Sequence, residues 1–293
     1  MLGYADHQLN RQFRDGELGS WFAQMRGWGL PLELEVGAVK EWGPTAEDTF
    51  RAEQPMWDRF LRLGAPLRSV AMDEPLCCVR SLLKKPDAYA VTETARFVQR
   101  VRAFDSGIMV GDIEPYPFLS VEDLEKWLDA LQAELAKLNV RGLDFFRLDV
   151  DWQNFVVGRG DWRGVKRIED LCRARGIRFS LIYWAADYPA LEKIRLADDI
   201  TWYVGVMQQA FDYAAVGGRP DQFVIESWIR SPRRCIPEDA DATFTRSVLD
   251  LATHVARIRS MGSSNRVPAS TRPNHHSGRL LRQRGKAWFR HNG

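Results

Sequence analysis

The stretch IMVGDIEPYPFL, residues 108–119, is the segment that decides the fold class. It begins as an apolar strand and then carries Asp112 and Glu114 before Pro115. Side chains two residues apart share a face of a strand, so both carboxylates are expected on the face of Val110. Proline cannot donate to a strand ladder and holds the preceding residue extended, so we expect the strand to stop there and turn outward. Acidic side chains at strand ends are typical of parallel α/β barrels.

Strand and helix patterns alternate along the rest of the chain. Apolar or alternating runs predict six strands, at 32–42, 67–75, 108–119, 143–152, 177–184 and 223–228. Helical periodicity predicts intervening helices at 7–26, 45–63, 87–104, 120–138, 163–175, 198–215 and 238–261. Strands joined by helices run parallel with right-handed crossovers, so the pattern favours an α/β fold.

The helix boundaries carry recognisable capping signals. Ser120 with Asp123 three residues later predicts a capping box at the start of the most regular helix. Thr45 is expected to cap the helix that follows the first strand, and Pro55 is expected to break or bend that helix.

The strand count bears on the architecture. A parallel (β/α)8 TIM-type barrel needs eight strands, and six patterns are found. We therefore expect a barrel that lacks its first and last strands, with the first strand upstream of Met1. An open doubly wound sheet would also accept six parallel strands, but the glycine fingerprint of its phosphate-binding turn is missing.

Charge divides the chain into two parts. Residues 264–293 hold seven Arg or Lys and no Asp or Glu, whereas residues 1–263 hold 34 basic and 39 acidic residues. We expect one domain over 1–262 and a basic, disordered tail over 263–293. The mildly acidic folded part argues against a nucleic-acid surface.

Cysteines and apolar runs set the expected compartment. Cys77 and Cys78 are adjacent, and Cys172 and Cys235 are isolated, which gives neither a zinc spacing nor a disulfide framework. No signal peptide or membrane span is recognisable, so a cytoplasmic protein without a membrane partner is expected. The sequence indicates no metal site and no cofactor, and it leaves the oligomeric state open.

Acidic residues end five of the six predicted strands. They are Glu41, Asp73 and Glu74, Asp112 and Glu114, Asp149 and Asp151, and Glu226. The carboxyl-terminal edge of parallel strands is where ligands bind in such folds. Trp42, Trp152, Trp184 and Trp228 fall at the same edge. Carboxylates bind hydroxyl groups and perform acid/base chemistry, and indole rings stack on the apolar faces of sugars.

These residues resemble the clan A glycoside hydrolases, barrels with a general acid/base after the fourth strand and a nucleophile after the seventh. If the missing strand is the first, IMVGDIEPYP is the fourth strand and FVIESW the seventh. The resemblance implies Glu114 as acid/base and Glu226 as nucleophile. The family usually writes its acid/base as Asn-Glu, often before Pro, and this chain has Ile113 in place of the Asn. MDEP, with Glu74 before Pro75, matches the pattern almost as well on the third strand.

The resemblance also implies a carbohydrate substrate and a two-carboxylate, retaining mechanism. The expected substrate-binding residues are Asp73, Glu74, Asp112, Arg147, Asp149, Asp151, Trp152, Tyr183, Trp184, Trp228 and Trp42. Glu33 and Glu35 lie in the middle of the predicted strand 32–42, and for them we expect an Arg or Lys partner inside the barrel.

Two other functions fit the same residues. Acids on the third, fourth and fifth strands, with Lys40 on the second, also resemble the magnesium site of the enolase superfamily, although its N-terminal capping domain is missing here. A barrel without its first and last strands is also consistent with a non-catalytic carbohydrate-binding protein.

Overall fold

The computed structural model describes residues 1–151, 154–155, 157–185 and 198–264, with side chains described up to residue 255. The chain forms two compact units, Met1–Thr253 and His254–Gly293. Of the second unit only the end of the last helix is described, so the expected disordered tail lies outside the described residues. Trp152 also lies outside them. Within the described residues, no helix combines the length and apolar character needed to cross a bilayer.

Seven parallel strands form one sheet in sequence order. They are β1 (Leu2–Ala5), β2 (Leu32–Val36), β3 (Leu67–Asp73), β4 (Met109–Tyr116), β5 (Phe145–Val150), β6 (Arg178–Tyr183) and β7 (Gln222–Ile225). Each strand pairs in parallel with the next, and the described residues contain no pairing between β7 and β1. The protein is therefore an incomplete α/β barrel, as the sequence predicts.

Helices connect the strands. They are α1 (Asp6–Gln12), α2 (Asp15–Gly27), α3 (Ala46–Arg62), α4 (Pro75–Cys78), α5 (Asp87–Phe104), α6 (Val121–Lys137), α7 (Trp162–Ala174), α8 (Asp199–Ala215) and α9 (Phe244–Ser264). A π-helical turn, Val79–Leu83, follows α4.

The prediction that the first strand lies upstream of Met1 is wrong. Strand β1 is only four residues long, and two of these are exposed, so it lacks the apolar alternation that marks a strand in a sequence. Its presence makes Leu32–Val36 the second strand, Met109–Tyr116 the fourth and Gln222–Ile225 the seventh. The segments predicted as the fourth and seventh strands are therefore the fourth and seventh strands of the structure.

Two prolines do not end the elements in which they lie. The expectation that β4 stops at Glu114 is wrong, because Pro115 and Tyr116 still pair with Asp149 and Val150 of β5. Pro55 does not break α3, which is continuous from Ala46 to Arg62. Sequence alone therefore overestimates how strongly these prolines interrupt regular structure.

The sheet curls so that one face becomes the interior. Glu33 on β2 and Arg147 on β5 are not on neighbouring strands, yet Arg147 donates to Glu33 Oε1 at 2.6 Å. Ser69 donates to Glu33 Oε2 at 2.8 Å, and Arg147 Nε donates to Ser180 at 3.0 Å. The expected basic partner of Glu33 inside the barrel is thus confirmed.

Further interior residues follow this polar layer toward the carboxyl-terminal ends of the strands. Ala71, Ile113, Phe145, Ile182 and Trp184 form an interior apolar cluster. Since residues two apart share a face, the interior series ends in Glu35 on β2, Asp73 on β3, Asp149 on β5 and Glu226 after β7.

Candidate functional site

Six carboxylates lie at the carboxyl-terminal edge of the barrel, and we call this group the acidic mouth. Its members are Glu35, Asp73, Glu74, Asp149, Asp151 and Glu226, all of them half-buried. Alternation along the strands places Glu35, Asp73, Asp149 and Glu226 on the interior face. Glu74 follows β3 directly, and its charge acts on Asp149.

Glu226 pairs with Glu35 rather than with Glu114. The Glu35 side chain interacts with that of Glu226 and lowers its pKa. Two interacting carboxyl groups attract each other only when one of them carries a proton. Burial raises the pKa of Glu35 to about 8, and the charges of Glu226 and Asp73 add to this effect. Burial also raises the pKa of Glu226, with Arg147 acting in the opposite direction.

Lys40 supplies positive charge to the acidic mouth. Its ammonium group donates to Asp73 Oδ2 at 2.5 Å. Burial alone would lower the pKa of Lys40, but the charge and the hydrogen bond of Asp73 outweigh it together with other neighbouring groups, and the net shift is upward. Lys40 and Arg147 both lower the pKa of Glu35, so they limit a shift that burial and the neighbouring carboxylates produce.

Asp149 and Glu74 also hold raised pKa values. Burial raises the pKa of Asp149 well above its usual range, and Glu74 and Glu226 contribute charge repulsion. Burial and then Asp73 raise the pKa of Glu74. Several carboxyl groups in this small volume therefore retain protons at higher pH than an exposed carboxylate would.

Aromatic side chains border the acidic mouth. Trp184 donates to Asp149 Oδ1 at 3.0 Å and to the carbonyl of Val150 at 2.9 Å. Its ring contacts that of Trp228 with centroids 4.6 Å apart, and Trp228 is 51% exposed. Trp42, in the loop after β2, is 54% exposed.

The structure does not bring Glu114 and Glu226 together. Glu114 is fully buried on the opposite face of β4, where its Oε1 accepts from the amide of Leu76 at 2.6 Å and its Oε2 from that of Cys77 at 3.1 Å. Both amides belong to α4, on the outer side of the sheet. Neither oxygen of Glu114 is therefore directed into the barrel.

Asp112 and Tyr183, two of the expected substrate-binding residues, share this outward orientation. Asp112 Oδ2 accepts from the indole of Trp127 on α6 at 2.7 Å. Tyr183 is buried and stacks on Phe223, with ring centroids 5.8 Å apart. Neither side chain reaches the acidic mouth.

The other expected residues are located as follows. Asp73, Glu74, Asp149, Asp151 and Trp184 lie at the acidic mouth, and Trp228 packs on Trp184. Asp151 accepts from the amide of Asn154 at 3.1 Å. Arg147 is buried below the acidic mouth, bound to Glu33 and Ser180.

The structure places Glu35 at the end of a strand and not in its middle. The run LELEVGAVKEW predicts a strand over 32–42, but β2 ends at Val36. Gly37 ends it, because its amide donates to Glu53 Oε1 at 2.6 Å and a Cβ there would lie 2.9 Å from the Trp42 ring. The glycine after LELEV is the signal that could have placed Glu35 at the strand end.

Within the described ranges, no group of three or more His, Cys, Asp or Glu side chains is arranged to hold a metal ion. The acids of β4 that the magnesium alternative requires face the helices instead, as described for Asp112 and Glu114.

Comparison with known proteins gives similarity of structure only. No protein-family model and no curated protein matches the chain. XacCel5A matches with a TM-score of 0.49 and 11% identity over 82% of this chain and 75% of that protein. A xylose isomerase domain protein from Alicyclobacillus acidocaldarius matches with a TM-score of 0.46 and 14% identity, over 89% and 88% of the two chains.

Xylanase10C from Cellvibrio japonicus, solved with xylopentaose, matches with a TM-score of 0.44 and 14% identity over 74% of this chain. The present chain spans 50% of the length of that xylanase. A glycoside hydrolase is thus among the similar structures, together with proteins of other activities. Similarity at this level carries no argument about the reaction.

Proposed function

We propose that this chain hydrolyses glycosidic bonds of an oligo- or polysaccharide with two carboxylates, Glu35 and Glu226. The observation that carries the proposal is that strand alternation places both carboxyl groups on the interior face at the carboxyl-terminal edge of the barrel, where they interact. Burial and the charge of Glu226 raise the pKa of Glu35 to about 8, which suits Glu35 to the role of proton donor. A proton donor and a carboxylate side by side are what hydrolysis of a glycoside requires.

The reaction divides between the two residues as follows. Glu226 keeps the role of nucleophile that the sequence resemblance implies, and Glu35 takes the place of Glu114 as general acid. The glycosidic oxygen of the substrate accepts the Glu35 proton. Glu226 then attacks the anomeric carbon as the bond to the leaving oxygen breaks. Glu35, now ionised, removes a proton from the water that releases the sugar.

The distance between the two groups is part of the proposal. Retaining enzymes hold their carboxyl groups about 5–5.5 Å apart, further than a direct hydrogen bond allows. The proposal therefore requires Glu35 and Glu226 to reach this separation when the substrate is bound.

Aromatic rings beside the acids favour a sugar as the substrate. Trp228 presents an exposed ring supported by Trp184, and the Trp184 indole is fixed by Asp149. Trp42 presents a second exposed ring at the same edge. Rings of this kind stack on the apolar faces of sugars, whereas carboxylates accept hydrogen bonds from the hydroxyl groups.

The test compares Glu226→Ala and Glu35→Gln with Glu41→Gln, which alters an exposed acid at the same edge. Turnover is measured with oligosaccharides and with nitrophenyl glycosides. We expect Glu226→Ala to lose at least roughly 10³-fold in kcat and to regain activity with azide, forming a glycosyl azide. Unfolding stability should change by less than about 1 kcal/mol, since a crowded carboxylate is removed.

Glu35→Gln should lose roughly 10²–10⁴-fold on oligosaccharides but much less on nitrophenyl glycosides, because a weakly basic leaving group needs no proton. Glu41→Gln should leave turnover unchanged. Turnover that survives both Glu35→Gln and Glu226→Ala would remove the proposal. Binding of oligosaccharides without hydrolysis by the unaltered protein would favour the non-catalytic alternative instead.

A further inference from the structure

The buried carboxylate of Glu114 contacts the segment that carries two acids of the mouth. Its two oxygens accept from the amides of Leu76 and Cys77, at 2.6 and 3.1 Å. These amides follow Asp73 and Glu74 in the chain, with Pro75 between them. Glu114 is fully buried and accepts from main-chain amides, so it fixes the backbone of this segment and does not contact a substrate.

The turn held in this way has a strained backbone. Glu74 adopts the left-handed conformation, with φ 49° and ψ 50°. A residue with a Cβ rarely adopts this conformation, because the Cβ comes too close to the following carbonyl oxygen. The turn is also tied to β4 through the amide of Glu74, which donates to the carbonyl of Ile113 at 3.0 Å. Bonds to Ile113 and Glu114 thus offset the strain at Glu74.

We propose that Glu114 is a positioning residue that holds the β3–α4 turn so that Asp73 and Glu74 face the acidic mouth. The inference rests on the proposed function, because it assigns Glu114 a part in the same site. It replaces the catalytic role that the sequence implied for this residue. Glu114 acts through the two acids that its hydrogen bonds keep in place.

Glutamine cannot take over this contact. Both oxygens of a carboxyl group have lone pairs for the two amides, in either protonation state. The amide side chain of Gln offers one oxygen, and its NH2 group would face the other main-chain donor. Glu114→Gln therefore removes one of the two bonds at nearly constant volume.

Displacement of the β3–α4 turn changes the pKa of Glu35, because the turn carries Asp73. The groups that act on the Glu35 carboxyl are Glu226 after β7, Asp73 at the end of β3, Arg147 on β5 and Lys40 after β2. Asp73 is one of the two acids that raise the pKa of Glu35. Displacement of the β3–α4 turn weakens this repulsion.

The experiment compares Glu114→Gln with Glu169→Gln. Glu169 on α7 is also fully buried and also accepts from a main-chain amide, that of Arg219 at 2.7 Å, before β7 begins. Both variants should lose stability to a similar extent. Only Glu114→Gln should lower kcat, about tenfold with a smaller change in KM, and shift the alkaline limb of kcat/KM downward by roughly half a pH unit.

A second measurement does not depend on activity. The titration of the Glu35 carboxyl, followed by carbon NMR, should move downward in Glu114→Gln and stay unchanged in Glu169→Gln. Amide exchange at Leu76 and Cys77 should be faster in Glu114→Gln. If the unaltered protein hydrolyses nothing, the proposed function fails, whereas the titration still tests the positioning role.

An unchanged Glu35 titration in folded Glu114→Gln overturns the inference, even if stability falls. If Glu114→Gln does not fold, Glu114→Asp takes its place, since it keeps both oxygens but withdraws them by one methylene. The aspartate variant should show the same shift of the Glu35 titration with a smaller size. No shift there overturns the inference as well.

Discussion

At the scale of the residue, the face of the strand decides what each glutamate does. Glu114 and Glu35 both lie near the end of a strand, Glu114 two residues and Glu35 one residue before the last position. Glu35 faces the interior and pairs with Glu226, whereas Glu114 faces the helices and binds main-chain amides. The same residue type therefore supplies a candidate proton donor in one place and a main-chain anchor in the other.

The raised pKa of Glu35 gives a prediction about pH dependence. A general acid works only while protonated, so activity on oligosaccharides should fall as the pH rises through about 8. Glu226 must be ionised to attack, and its raised pKa places the acidic limb above the range of an ordinary glutamate. The measurement is kcat/KM between pH 4 and 10.

Nitrophenyl glycosides provide the control for this profile. Their leaving group needs no proton, so the alkaline limb should be absent while the acidic limb remains. An alkaline limb of equal position and size with both substrates would contradict the role of Glu35.

At the scale of the element, local signals in the sequence predict the helices well. Ser120 and Asp123 form the expected capping box at the start of α6, with Ser120 Oγ accepting from the Asp123 amide at 3.0 Å. Thr45 caps α3 as expected. Capping depends on residues only a few positions apart, so the sequence contains the whole interaction. The α4 segment carries only Pro75 at its first position, and its contact with Glu114 on β4 joins residues far apart in the sequence.

The capping box gives a prediction about stability. Ser120→Ala removes the acceptor for the Asp123 amide and should lower the free energy of unfolding by about 1 kcal/mol. The midpoint of thermal unfolding should fall by roughly 2–4 °C. Ser106→Ala, at an exposed position in the turn before β4, is the control and should change neither value. Equal effects of the two substitutions would show that the cap contributes nothing.

At the scale of the whole molecule, β1 and β7 are not paired with each other among the described residues. In the described part of the chain, each of these strands has a pairing partner on one side only. All four residues of β7 are half-buried, and two of the four in β1 are exposed, whereas β4 is buried at all but its first position. The centre of the sheet is therefore better protected from water than its two edges.

Hydrogen exchange tests this difference. Amides of β1 and β7 should exchange through local opening and well before those of β4 and β5, which should approach the rate of global unfolding. The measurement is exchange of the native protein followed by mass spectrometry of its peptides. Equal protection of β1, β4 and β7 would mean that the edges are covered in solution.

The sequence by itself determined the alternation of strands and helices, the parallel sheet and the side chains that share a face of each strand. These follow from periodicity and capping, which are properties of neighbouring residues. It also determined that acids and tryptophans gather at one edge, because carboxyl ends of parallel strands meet there.

Only the tertiary structure decided which face of each strand lies inside the barrel. The two-residue alternation of a strand places Asp112 and Glu114 on one face, but it does not determine whether this face packs against the helices or lines the interior. Pairing between strands and the curvature of the sheet fix that choice, and both depend on residues far apart in the chain. For the same physical reason, Glu226 after β7 interacts with Glu35 on β2, although the two residues are far apart in the sequence. Glu114 is instead bound to the main chain of α4.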